Sequence, residues 1–389
     1  MNTINVKSSS EYARIISCYA ADTAGVCSAL FELGGMVIVH DASGCNSTYA
    51  THDEPRWYNA DSMIYISALT ELDAVLGNDE KFIDDVSQAA KELKPEFIAI
   101  CGSPMPMMTG FDFDAVADEI NFRTGIKTIS IKTNGMNSYL LGEGDAFYKI
   151  AQEYCDENFS KTKAPSANIL GLTPLDFLLN GSDKSIRNWL SENGFNVISS
   201  FGMGTNLEEI KRSSSAWVNL VVSYGGLKTA EYMKEKFSIP YVVGVPIGKA
   251  YSSKLAESLK TASQNGKCIF SCADRKCNVT GRKYSIVGES VFSGSLACAL
   301  SEELNLECNV LHTLETDQRL LSEHDKLVPC ESDCEREFGK TENVIGDRLF
   351  KPICPDTVNF FCLSHEAFSG RCFHEESKNL INKKLGELV

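Results

Sequence analysis

Short apolar runs of four to seven residues recur along the chain, each followed by a longer stretch of helical period, and no other feature limits the fold as much. A strand, a helical crossover and another strand make a parallel sheet with helices on its faces. The first series occupies roughly residues 24–155. It predicts a helix over 26–33 ending at Gly34-Gly35, a strand over 36–40 leading into Asp41-Ala-Ser-Gly-Cys45, and a helix over 81–93. A strand over 96–101 follows, closed by Gly102-Ser-Pro-Met-Pro106, then a helix over 114–124 and a strand over 127–131. The stretch 160–166, with Lys161, Lys163 and Pro165, reads as a linker. Beyond it the pattern restarts with strands over 168–172, 196–200, 218–223 and 241–245 and helices over 227–237 and 252–264. A third restart has strands over 283–287, 308–311, 343–345 and 357–363 and a helix over 293–304. The expected fold class is therefore α/β: three successive Rossmann-like units with parallel sheets around a central cleft, covering residues 1–159, 160–275 and 276–389.

A length of 389 residues agrees with two or three domains at the usual ~150 residues each. Hydrophobic residues at 43% and charged residues at 23% are those of a folded globular chain. The 37 basic against 52 acidic residues leave a formal charge of -15, which repels nucleic acid and anionic membranes, so neither is an expected partner. The first thirty residues lack an apolar signal core and no run of about 18 apolar residues occurs, so a cytoplasmic location is expected. Fifteen cysteines in such a chain point to free thiols in a reducing compartment, because disulfide scaffolds are shorter and denser in cysteine.

In an open parallel sheet, ligands gather at the carboxyl ends of the strands, where loops lead into helix N-termini. Cys45 follows its expected strand across a glycine turn and Cys101 closes the next one. Cys18 lies just upstream of the first helix and could fold back toward the same edge. Three thiolates from separated segments suit an iron–sulfur cluster better than zinc, whose structural sites usually show local C-x2-C pairs. A fourth ligand would come economically from a second subunit; Cys27, inside an apolar helix, reads as core. The competing reading is that these thiols are small buried hydrophobes.

These residues resemble those of component 1 of nitrogenase and its relatives, which include the dark-operative protochlorophyllide reductase and cofactor-assembly proteins. The likeness runs from Cys18-Tyr-Ala-Ala-Asp22 and Gly25-Val-Cys-Ser-Ala-Leu30 to Val39-His-Asp-Ala-Ser-Gly-Cys45 and Ala68-Leu-Thr-Glu-Leu-Asp73-Ala-Val-Leu-Gly77. It continues through Lys94-Pro95-Glu96-Phe-Ile-Ala-Ile-Cys101, Gly110-Phe-Asp112, Trp217-Val-Asn-Leu-Val-Val-Ser223-Tyr-Gly-Gly226, Gly346-Asp347 and His365-Glu-Ala-Phe-Ser-Gly-Arg371, nearly the whole chain. The resemblance implies an oxidoreductase subunit with an iron–sulfur cluster of the [4Fe-4S] kind on Cys18, Cys45 and Cys101, shared between subunits of a homo- or hetero-oligomer. It implies that electrons arrive from a separate ATP-dependent iron–sulfur reductase and reduce a small molecule in the cleft. Two departures stand out. The family's third cluster cysteine lies nearer the Gly-Asp turn, where this chain has Pro104, and the cysteine that holds the iron–molybdenum cofactor falls on Ser223, a poor ligand for a soft iron site. Dinitrogen reduction is therefore not expected. The alternative is a metallocofactor assembly scaffold without turnover.

Other segments offer further candidates. Gly225, Gly226 and Lys228, at a helix N-terminus beyond a strand, form a candidate anion or cofactor site, with a plain glycine turn as the alternative. His365 and Arg371 meet the expected strand-end edge and, with Lys228, are the candidate catalytic groups; a structural histidine is the competing reading. Gly202-Met-Gly204-Thr205-Asn206 reads as a capped strand–helix turn, lacking the third glycine of a dinucleotide loop. Gly244-Val-Pro-Ile-Gly248-Lys249-Ala250 falls one residue short of a phosphate loop, so no nucleotide is expected on this chain. Cys268, Cys272, Cys277, Cys330 and Cys334 have no standard metal spacing.

Overall fold

The computed structural model describes residues 13–17, 21–44, 54–275 and 283–386. Three sheets follow one another along the chain, and every pairing between their strands is parallel. The first comprises β1 (Met36–His40), β2 (Met63–Ile66), β3 (Ile98–Gly102) and β4 (Thr128–Ile131), in the order β2-β1-β3-β4. The second comprises β5 (Ser166–Leu172), β6 (Asn196–Gly202), β7 (Val218–Val221), β8 (Tyr241–Val243) and β9 (Ile269–Phe270), in the order β6-β5-β7-β8-β9. The third comprises β10 (Lys283–Gly288), β11 (Glu307–His312), β12 (Lys326–Leu327), β13 (Asn343–Gly346) and β14 (Asn359–Cys362), in the order β12-β11-β10-β13-β14. The α/β architecture of three units with parallel sheets is thus the observed one.

Each order reverses once, between β1 and β3, between β5 and β7, and between β10 and β13. At such a reversal the helices leave to opposite faces and open a crevice beyond the carboxyl ends of the strands. β1, β3, β5 and β7 are buried along their whole length, as strands covered on both faces must be, which explains their unbroken apolar runs. One core cluster runs through all three units, from Val37 and Ala99 through Ile169 and Leu220 to Ile286 and Val310. The chain end returns to the second unit, where Ile381 bridges Ile247 and Asn379 bonds Ser185.

The first helix begins at Asp22, four residues earlier than expected, because Gly25 lies inside it (Asp22–Leu30). A glycine in a helix usually costs stability, but here it admits a neighbour: a Cβ on Gly25 would stand 2.0 Å from the Tyr139 carbonyl. The partner helix, Tyr139–Tyr154, is absent from the sequence reading; its own Gly142 would place a Cβ 1.9 Å from the Asp22 carbonyl. The glycines that blur the helical pattern are the ones that let the two helices touch. β2 also went unexpected, its four residues Met63–Ile66 being too short to show a period. Among the described residues no helix is long and apolar enough to cross a membrane.

Candidate functional site

At the first reversal, β1 ends on His40, whose Nδ1 lies 2.8 Å from Ser67 Oγ and whose ring packs against Phe82 and Phe111. Burial lowers its pKa to about 4, so the imidazole is neutral near pH 7 and fixes the loop rather than titrating. Across the same edge, Ala21 bridges Ser138, and the Asp22 carboxylate accepts the amides of Asn134 (3.0 Å) and Gly135 (2.8 Å) beyond β4. Ala21 and Gly44 are therefore both at the carboxyl edge of the first sheet. Cys18 and Cys45 themselves lie outside the described residues.

Cys101 occupies β3 opposite Val39, fully buried, and its thiol neighbours that of Cys27 on the first helix. The neighbouring thiol and burial push the Cys27 thiol well above its ordinary value. Two residues on, Ser103 Oγ is buried at the edge without a hydrogen-bond partner. An iron–sulfur cluster asks for several soft donors around one core. The two cysteine-bearing segments that adjoin this edge offer that donor type; the Ser103 hydroxyl, a hard oxygen, does not, and Cys101 fits it only by giving up its contact with Cys27.

The other two reversals face each other and seal a polar group between the units. Asp176 follows β5, Glu289 follows β10, His365 follows β14, and the helix Tyr139–Tyr154 inserts Tyr139 and Glu143 on one face, four residues apart. Tyr139 Oη donates to Asp176 Oδ1 at 2.5 Å, and Thr173 Oγ1 donates to Glu143 Oε1 at 2.5 Å. Glu289 caps the helix Ser290–Leu304, Oε2 accepting the amide of Phe292 (2.7 Å) while Oε1 accepts those of Val291 (3.0 Å) and, across the junction, Tyr224 (2.9 Å). Asp347 Oδ2 accepts the His365 amide and Ser369 Oγ, both at 2.8 Å, which fixes the loop that carries the imidazole.

His365 Nε2 stands 3.2 Å from Asp176 Oδ1, within ion-pair range but misaligned for a hydrogen bond, so both ring nitrogens lack a partner. Asp176 Oδ2 and Glu143 Oε2 are likewise buried without one. Among the described residues no lysine or arginine pairs with Glu143, Asp176 or Glu289. Burial first, then the charge of Asp176, pushes Glu143 well above the usual carboxylate range and Glu289 up to about 8. The sequence reading found His365 here but missed Tyr139, Glu143, Asp176 and Glu289.

The remaining candidates are placed differently. The Gly225 amide donates to Ser223 Oγ and the Gly226 amide to the Ser223 carbonyl, while a Cβ on Gly225 would stand 2.5 Å from Glu143 Oε2. Lys228 pairs with Asp145 and lies over the Tyr148 ring. In this structure the two glycines admit the neighbouring unit and the lysine ties two helices together. Arg371 is exposed, six residues beyond His365. Asn206 Oδ1 accepts the Glu209 amide, the cap expected there. At Gly244–Ala250 the Glu303 carboxylate accepts the amides of Lys249 and Ala250, filling the position a phosphate would take with a negative charge. Cys272 and Cys298 are core thiols, Cys334 is buried and pushed up to about 12, and Cys330 Sγ donates to Asp333. Cys268 is half-buried, and Cys277 lies outside the described residues. Among the described residues no three His, Cys, Asp or Glu side chains are placed to hold a metal ion.

With this geometry in view, comparison with known proteins is direct. The chain is 22% identical over 263 residues to a subunit of the light-independent protochlorophyllide reductase from Zygnema circumcarinatum, and 23% identical over 262 residues to the corresponding subunit from Chlorokybus atmophyticus. Each match covers 59% of this chain and 51% of the relative, so the chain spans about half the length of the curated relatives it matches. A solved structure described as nitrogenase Cp1 at pH 6.5 superposes over 97% of this chain and 92% of its own, with a TM-score of 0.72 and 16% identity, a likeness of fold. The family model for nitrogenase component 1 type oxidoreductases matches residues 22–337, and the chain belongs to that family.

Proposed function

We propose that the chain is an oxidoreductase subunit that carries an iron–sulfur cluster at the carboxyl edge of its first sheet and reduces a small molecule in the cleft between its units. Cys18, Cys45 and Cys101 are its cluster ligands, with a further ligand from a similar subunit. Electrons come from a separate ATP-dependent iron–sulfur reductase, and the chain itself works without nucleotide in a reducing, cytoplasmic compartment. The observation that carries this reading is the position of Ala21, three residues beyond Cys18, and of Gly44, next to Cys45, at the strand-end edge of the first sheet. When bound, the cluster supplies one-electron transfer at low potential. The polypeptide supplies the sealed cleft, where His365 offers two unpartnered ring nitrogens.

The same edge supports the oligomer. Leu72, Val75, Leu76, Met107, Met108 and Met136 are at least half exposed on the loops and short helices beyond β2, β3 and β4. A contiguous apolar face of this kind marks a protein interface, and it surrounds the edge where a shared cluster would need a second subunit.

A second reading is favoured by Ser223, whose Oγ is buried and occupied by the Gly225 amide, so the cleft lacks a thiolate at that strand end. In that reading the chain holds a metallocluster and passes it on without turnover. Anaerobic purification with iron and sulfide analysis and low-temperature EPR tests both. A reductant-dependent product supports the enzyme, cluster transfer to an acceptor without product supports the scaffold, and a colourless, iron-free protein rejects both.

A further inference from the structure

Glu143, Asp176 and Glu289 come from three different units and, among the described residues, have no lysine or arginine partner, an arrangement that burial makes costly unless protons are retained. Glu143 and Tyr139 share one helix face, and both reach the same short segment of the second unit: Glu143 bonds Thr173, Tyr139 bonds Asp176. From Asp176 Oδ1 it is 3.2 Å to His365 Nε2, and His365 faces the pocket lined also by Phe177, Gly288 and Phe292. Two carboxylate oxygens and two ring nitrogens in this group are buried and unpartnered. The 3.2 Å approach of Asp176 Oδ1 to His365 Nε2, with an unpartnered buried atom on each of these side chains and on Glu143, leaves the group open to a proton rather than closed by fixed bonds.

We propose that Glu143 and Asp176 hold a proton inside the protein and pass it to His365, making this group the proton reserve for a reduction in the cleft. The inference rests on the proposed function. Two electrons from a separate reductant of the iron–sulfur class and two protons saturate a double bond of the substrate: the His365 N–H bond breaks as its proton forms the first new bond, and the neutral ring then takes the carboxyl proton of Glu143 by way of Asp176, one O–H bond breaking and one N–H bond forming. The ring passes this second proton on to form the second new bond, and the ring and the Glu143 carboxylate are reprotonated from solvent between turnovers. His365 is the catalytic residue of this scheme; Asp176, Tyr139 and Thr173 position it and the reserve. The other titratable groups facing the path are Glu289 from the third unit and Glu366 and Asp347 beside the imidazole, and Arg56 acts on Glu143 from the first unit.

Infrared spectroscopy of the purified chain reads the reserve without cluster, substrate or turnover. The wild-type protein should show a protonated-carboxyl stretch at neutral pH, where an ordinary carboxyl is ionised, and E143Q should lose the Glu143 part of it. NMR of the ring-labelled histidines should show the His365 nitrogen resonances moved in D176N, where the carboxylate 3.2 Å from Nε2 is lost, and unchanged in E143Q. Absence of that stretch in wild type, which needs no variant to fold, overturns the proposal. So does its undiminished persistence in E143Q, or unmoved His365 nitrogen resonances in D176N. Iron analysis speaks to the cluster reading separately, so the two can fail independently.

Discussion

The carboxyl edge of the first sheet and the paired edges of the second and third sheets have the same topology and opposite surroundings. Beyond β2, β3 and β4 the loops carry exposed apolar side chains, Met108 at 80% and Val75 at 77% exposure, around a buried hydroxyl and a thiol pair. Beyond β5, β10 and β14 the loops carry carboxyls, a phenol and an imidazole, and they are covered by one another and by the helix Tyr139–Tyr154. A strand-order reversal opens a crevice wherever it occurs; what then fills it decides its use. An edge left apolar and open waits for another protein, whereas an edge closed by two neighbouring units becomes a chamber in which charge is costly and protons are retained.

This contrast can be broken most strongly at the helix crossing that closes the chamber. Gly142→Ala drives a Cβ into the Asp22 carbonyl, and the overpacking should cost about 3 kcal/mol in chemical denaturation. A neutral outcome would mean that the crossing does not hold the units together. Next in size, Tyr139→Phe leaves Asp176 Oδ1 without its hydroxyl donor and should cost about 2 kcal/mol, the penalty for an unmade buried bond.

The pH dependence sharpens the comparison further. Glu143 has its folded pKa raised above 4.5, so its contribution to stability is present below that value and is lost as pH rises toward the folded value. Between about pH 5 and pH 8 the wild-type unfolding temperature should therefore fall more steeply than that of Glu143→Gln. Parallel slopes would show that Glu143 is not protonated in the folded chain. The smallest effect on the fold belongs to the open edge. Leu72→Ser with Met108→Ser should change monomer stability by no more than about 0.5 kcal/mol, while sedimentation should show weakened association. Unchanged association would remove the open edge as an interface.

Much of the architecture was legible because buried parallel strands write long apolar runs, as in β1, β3, β5 and β7. The helix Tyr139–Tyr154 was not, since Gly142 and Gly144 interrupt its pattern for reasons that exist only across the crossing. That omission hid Tyr139 and Glu143. Asp176 and Glu289 were hidden differently: each looks like an ordinary first-turn or capping acid, and only the meeting of two units buries them. His365 was found from its place after a strand. Cys101 was placed correctly on β3, but its contact with Cys27 belongs to the helix face and cannot be read from spacing. The Gly225-Gly226-Lys228 turn has an anion-site sequence, yet its amides close on Ser223 and its lysine on Asp145.

Iron bound by anaerobically purified protein tests the central claim most directly, compared between Cys45→Ala and Cys27→Ala. The cluster proposal predicts that the first variant loses most of its iron while the second keeps it. Equal iron in both, or iron lost only with Cys27, would contradict it.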